Sequence, residues 1–165
     1  MNSLTSAVGA IVTDDAGRVL LCQQSQGHRR WGLPGGKVRE NESPIHAAVR
    51  DIREETGMDV EIVDLVGLYE LCGQGLPDLV VHVFRCHARG EALNNAPGRI
   101  CRLSYHDPGD LPGPMTPTTR MAIADALAGR SGVLSRVDRD AEPDYPDAAD
   151  TVDVRGQDVV VGLAG

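Results

Sequence analysis

The chain has 165 residues, of which 41% are hydrophobic and only 3% aromatic, and its formal net charge is -8 at pH 7. That length fits one compact domain plus an extension, with a core of aliphatic side chains of the kind that fill the buried strands of an α/β protein. The acidic balance argues against a nucleic-acid polymer as partner, because such binding draws on a surplus of Lys and Arg, but it leaves room for a small phosphorylated ligand.

In chain order, two aliphatic and β-branched runs come first, Ser6 to Thr13 and Arg18 to Gln23. The turn chemistry of Asp14-Asp15-Ala16-Gly17 between them predicts a hairpin. A polar loop, Gln24 to Arg30, then leads into Trp31-Gly32-Leu33-Pro34-Gly35-Gly36, whose glycines and proline forbid an ordinary helix. Trp31 is expected to close the core beneath that loop, with stacking on a base as the alternative. Ser43 as a cap, Pro44 at the first helical position and Gly57 as a left-handed stop predict a helix between them. Val60 to Cys72, Leu79 to Cys86 and Ile100 to Tyr105 read as strands, and Pro117 to Ala128 reads as a second amphipathic helix.

From Arg130 the composition changes. Asp138 to Asp153 is crowded with acids and interrupted by Pro143 and Pro146, and a short apolar stretch follows at Val159 to Leu163. Residues 1–129 therefore read as the domain. Residues 130–165 read as an acidic C-terminal extension, partly disordered or packed back on the domain or a neighbour, with 159–161 able to pair as an edge strand. Cys22, Cys72, Cys86 and Cys101 form no CxxC pair, the first residues do not resemble a secretion signal, and no apolar run approaches the ~20 residues of a membrane span. Reduced thiols and a cytoplasmic location are the expectation, with neither membrane nor disulfide framework.

The helix from Ser43 to Gly57 carries the chemistry. At about 100° per residue, Ile45, Ala48, Val49, Ile52 and Thr56 fall on one face suited to packing on a sheet, while Asp51, Glu54 and Glu55 fall on another beside the small Ala47. The plain alternative is a solvated acidic face with an Arg50–Glu54 pair at i,i+4. Adjacent acids near a helix C-terminus nevertheless oppose the helix dipole unless a cation compensates, and carboxylate oxygens suit hard divalent ions.

The wider spacing resembles the Nudix box. Gly36, Glu42, Arg50, Ile52, Glu54, Glu55, Gly57 and Met58 stand in the family's order and intervals, with one departure, Asp51 where the pattern has Glu. The strands from Ser6 to Cys86 and the segment Asp107 to Leu127 are also similar to the family; the tail after Arg130 is not covered. The resemblance implies an α/β/α sandwich with a mixed β-sheet between helices. It also implies a metal-dependent hydrolase that cleaves the diphosphate linkage of a nucleoside diphosphate derivative or nucleoside triphosphate by attack of water on phosphorus. Under it, Glu54 and Glu55 would be the principal ligands of Mg²⁺ or Mn²⁺, helped by Asp51 and the backbone carbonyl of Gly35. Arg50 would orient the carboxylates, and Glu42 would support the cluster from the loop side. Lys37, Arg29 and Arg30 would approach the diphosphate, and a homodimer is left open.

Asp51 is one methylene shorter than Glu, which suggests coordination through water. Many members of the family carry an acid in the loop before the strand that matches Ile100 to Tyr105, where this chain has Gly98-Arg99-Ile100-Cys101-Arg102. Arg99 or Arg102 is then expected to contact substrate phosphate, and the base must come from Glu42, Glu70 or a hydroxide on the metal. The same departures keep a second reading alive, a Nudix-like nucleotide-sensing or interaction module without efficient hydrolysis. Gln24 to Arg30, Gly73 to Asp78 and Asn94 to Arg99 are the candidate selectivity loops, and they follow no code that names the substrate.

Overall fold

The structure, a computed structural model, describes residues 5–139. The expectations for the acidic stretch beyond 139 and for an edge strand at 159–161 lie outside the described residues. In chain order the elements are β1 (Thr5–Val12), β2 (Val19–Gln24), β3 (Trp31–Gly32), β4 (Gly35–Lys37), α1 (Pro44–Thr56), β5 (Asp59–Cys72), β6 (Leu79–Arg89), β7 (Ile100–His106), α2 (Pro117–Leu127) and β8 (Val133–Asp138).

A five-stranded mixed sheet runs in the order β4-β1-β6-β5-β8, and β3-β2-β7 form a second, three-stranded sheet. Strand β1 is parallel to β6 and antiparallel to β4, β5 is antiparallel to β6, and β8 is parallel to β5. The alternation of β1 places a helix on each side of the large sheet. Ala7 and Ile11 pack in one cluster with Ala122, Ile123 and Ala126 of α2. Val8, Ala10 and Val12 pack in the other with Ala47, Ala48 and Ile52 of α1. This is the α/β/α arrangement of a mixed sheet between helices.

The predicted hairpin of β1 and β2 forms only at its base. Asp14 accepts from the N–H groups of Ala16 (3.0 Å) and Arg18 (2.9 Å), and Thr13 bridges to Val19. Beyond that point β1 is buried on both faces and takes ladder partners on both edges, β4 and β6, so β2 leaves for the second sheet and pairs with β7. The Trp31-to-Gly36 segment is likewise not simple loop. It contains β3 and β4, and the Pro34 carbonyl between them accepts from the Ala10 N–H at 3.1 Å. Trp31 lies in the core, 5% exposed, as expected.

Strand β8 lies past residue 130 and forms one edge of the large sheet, with Val137 in the core cluster that also holds α2. The helix α1 has the expected boundaries, with Ser43 Oγ accepting from the His46 N–H and Gly57 left-handed at φ +73°. Its buried face differs from the expected one. Ile45 is 51% exposed, whereas Ala47, Asp51 and Glu55 are buried with Ala48, Ile52 and Thr56. The helix is rotated toward its acids because the glycine strand β4 and the loop before β7 cover that side, where large side chains would not fit.

Candidate active site

Three pieces of chain meet at the site: α1 with its acids, the β4 glycines, and the loop leading into β7. Glu55 is only 3% exposed. One of its oxygens accepts from the Gly35 N–H at 2.9 Å, and the other lies 3.4 Å from an Arg99 guanidinium nitrogen. Asp51 is 4% exposed, and its Oδ1 accepts from Arg50 Nη1 at 2.6 Å. Its Oδ2 is buried with no hydrogen-bond partner and sits beneath Gly36, where a Cβ would come within 2.9 Å of it. Only glycine lets the backbone of β4 approach this carboxylate so closely.

Arg50 organises the remaining acids. It grips both oxygens of Glu42 (Nε at 2.6 Å, Nη2 at 2.8 Å), donates to Glu54 at 3.2 Å and to the Lys37 carbonyl at 3.3 Å. Such a two-pronged grip is the geometry that suits guanidinium and not ammonium. Arg50's hydrogen bonds hold the Glu42 carboxyl down to about 2. Burial acts the other way on the inner acids. It pushes Asp51 up to about 6 against the pull of Arg50, and, with Asp51 as a neighbouring charge, pushes Glu55 up to about 8. Buried carboxyls displaced in this direction gain stability from any cation brought beside them.

Among the described residues no three His, Cys, Asp or Glu side chains converge as a ready-made cage for a metal ion. Arg50 stands among Glu42, Asp51 and Glu54 instead. The donor set still fits a hard divalent cation: an orphaned buried carboxylate oxygen on Asp51, a second buried carboxylate on Glu55 and the half-exposed carboxylate of Glu54, 46% exposed at its side chain. All-oxygen donors of this kind are the ligands Mg²⁺ and Mn²⁺ take.

The structure brings together Gly35, Glu42, Arg50, Asp51, Glu54, Glu55 and Arg99, together with the Lys37 backbone. Gly35 presents its N–H to Glu55. Glu55 is not aimed outward as the helical wheel suggested; β4 and the loop before β7 cover it. Arg29, exposed with a left-handed backbone at φ +50°, donates to Cys101 Sγ at 3.4 Å, and Arg30 follows it into β3. Glu70 does not belong to the site. It sits in β5 opposite Arg136 of β8, while Gly35 is on β4 at the other edge of the sheet.

Arg39, not singled out in the sequence, and Asn95, named there only as part of a candidate selectivity loop, also take part. Arg39 pairs with Glu54 at 3.4 Å, and its N–H caps Glu42 at 3.1 Å. Asn95 donates its N–H to the Glu55 carbonyl at 2.9 Å. Arg39 lies inside the box and was open to notice as the nearest cation to Glu42, whereas nothing local marks Asn95.

The family model of the NUDIX domain matches residues 3–126. A MutT-like protein from Streptomyces ambofaciens is 31% identical over 124 residues, 75% of this chain and 77% of that protein. An RNA pyrophosphohydrolase from Saccharophagus degradans is 39% identical over 61 residues, only 37% of this chain and 36% of the relative. Among solved structures, a MutT NUDIX hydrolase from Burkholderia pseudomallei matches with a TM-score of 0.70 at 31% identity, over 74% of this chain and 98% of that one. With a domain match across most of its described residues and the box assembled on α1 and β4, the chain belongs to the Nudix hydrolase family.

Proposed function

We propose that this Nudix pyrophosphohydrolase is a divalent-metal enzyme that cleaves the diphosphate linkage of a small nucleotide, a nucleoside diphosphate derivative or a nucleoside triphosphate. The observation that supports it best is the pair of buried acids, Asp51 with an unpartnered oxygen and Glu55 beside it, both pushed up by burial. A fold keeps such costly groups where a cation is to be received.

In this reading Glu54, Glu55 and Asp51 would hold Mg²⁺ or Mn²⁺, helped by the backbone carbonyl of Gly35. When bound, the metal supplies positive charge to the diphosphate and makes a water acidic enough to attack phosphorus near neutral pH. Arg50 keeps Asp51 and Glu54 oriented and is itself locked by Glu42. With both oxygens engaged by Arg50 and its carboxyl held near 2, Glu42 is an anchor and a poor base. Lys37, Arg29, Arg30 and Arg99 are the cations assigned to the substrate's diphosphate, as point charges or forks. The relative named a pyrophosphohydrolase supports cleavage of a diphosphate linkage. Among the described residues no helix is long and apolar enough to cross a membrane. A cytoplasmic location belongs to the same reading, supported by four unpaired cysteines.

The test is product release from a panel of nucleoside diphosphate derivatives and triphosphates with Mg²⁺, Mn²⁺ or EDTA, comparing the natural chain with Glu54→Gln. Turnover that needs metal and falls by at least about 100-fold in Glu54→Gln is the expected result. Tight binding of a panel member without turnover in either protein would favour the sensing module.

A further inference from the structure

Charge is unevenly shared among the acids of the site. Arg50 serves Glu42, Asp51 and Glu54, and Arg39 adds to Glu54. Glu55, the most deeply buried of them, is paired among the described residues with a cation from outside the helix, Arg99. The two residues are 44 positions apart in sequence, so the contact is made by the fold.

The main chain that carries Arg99 is fixed on two sides. Toward α1, the Leu93 N–H donates to the Thr56 carbonyl and the Asn95 N–H to the Glu55 carbonyl, both at 2.9 Å. Toward the loop before β3, the Ser25 N–H donates to the Arg99 carbonyl at 2.9 Å and Ser25 Oγ to the Gly98 carbonyl at 2.8 Å. The guanidinium by contrast is half exposed, at 49% of its side chain, and meets Glu55 at a loose 3.4 Å. An anchored backbone with a half-exposed charged end can change partners without moving the loop.

We propose that Arg99 is a built-in competitor for the place beside Glu55: its guanidinium stands where a divalent cation would meet this carboxyl, opposes that cation's binding, and becomes available to the substrate diphosphate once it is displaced. Arg99 thus couples metal binding to substrate binding. The inference rests on the metal-dependent reading above and goes beyond it by naming what the cation must displace. Removing the guanidinium takes away a like charge from the incoming cation.

The experiment is Mn²⁺ binding to the full chain without nucleotide, followed by the resonance signal of free Mn²⁺, for the natural protein, Arg99→Ala, Arg99→Lys and Arg18→Ala. Arg18 pairs with Asp14 in the turn after β1 and serves as a remote control. Arg99→Ala should bind Mn²⁺ about tenfold more tightly, as expected for loss of one half-exposed like charge, with Arg99→Lys near the natural affinity and Arg18→Ala unchanged. Mn²⁺ should also raise the melting temperature of Arg99→Ala by more than it raises that of the natural chain, by linkage. Unchanged or weaker binding by folded Arg99→Ala, or an equal gain in Arg18→Ala, overturns the competitor role. If Arg99→Ala fails to fold, Arg99→Lys decides: affinity within about threefold of natural supports the role of charge, and a tenfold or larger change overturns it. Absence of Mn²⁺ binding by the natural chain would overturn the metal-dependent reading itself, and this inference with it.

Discussion

Asp51 and Glu55 show how the same residues read differently on a wheel and in a fold. Spacing alone put them on a polar face, but their surroundings are the β4 glycines and the loop ahead of β7, which bury both. The consequence is chemical, since a solvated acid keeps its ordinary pKa and these two do not. His106 is a third residue tuned by its surroundings. Its ring meets Trp31 edge-on with centroids 4.7 Å apart, and burial holds it below the ordinary 6.5 although Asp110 pulls the other way. Below pH 6.5 the unfolded chain therefore takes up this proton before the folded one does, so the contribution to stability is full above 6.5 and is lost as pH falls through and below that value. Trp31 is the sole tryptophan, which makes its emission a direct reporter. Acid titration should quench it with a midpoint below 6.5, and His106→Gln should remove the step; a midpoint at or above 6.5 would contradict the burial argument.

At the scale of elements, α1 is defined by its ends. Ser43 and Pro44 start it with a side-chain cap and a preset backbone angle, and Gly57 ends it in the left-handed region. The end is also sealed from outside by Leu93 and Asn95, whose N–H groups take the last carbonyls that the helix leaves unpaired. A Cβ at Gly57 would lie 3.0 Å from the Asn95 amide, whereas one at Gly27, also at positive φ, meets nothing within 4 Å. Both glycine-to-alanine changes strain the backbone, and only Gly57→Ala also disturbs the loop that bears Arg99. Denaturant unfolding should show a loss of about 1–2 kcal/mol for Gly57→Ala and a smaller one for Gly27→Ala. Equal losses would show that the Asn95 contact contributes nothing.

For the whole molecule, β8 packs residues 133–138 onto the body as an edge of the large sheet. Val137 is buried in the cluster under α2, and Arg139 donates to the carbonyls of Gly73 and Pro77 at 3.0 and 3.2 Å. A chain ending at 129 would expose the edge of β5 and uncover that cluster. We expect it to lose at least about 3 kcal/mol, or on the order of 10 °C in melting temperature, relative to a chain ending at 139. Equal melting temperatures for the two truncations would show that β8 adds nothing to the domain. The composition change at Arg130 hid this strand, because β8 alternates exposed Leu134 and Arg136 with inward positions and carries too few apolar residues to stand out.

What the sequence by itself determined is what neighbouring residues control: the ends of α1, the strand runs, the turn at Asp14 and the box from Gly36 to Met58, each written in a short-range pattern of caps, alternation and fixed intervals. Tertiary structure alone decided which side of α1 is buried, that β1 and β2 part into two sheets, that β8 closes an edge, and that Arg99 reaches Glu55. Those outcomes depend on which surfaces compete for a shared core and which distant groups meet there, and such a competition is settled only when the whole chain is packed.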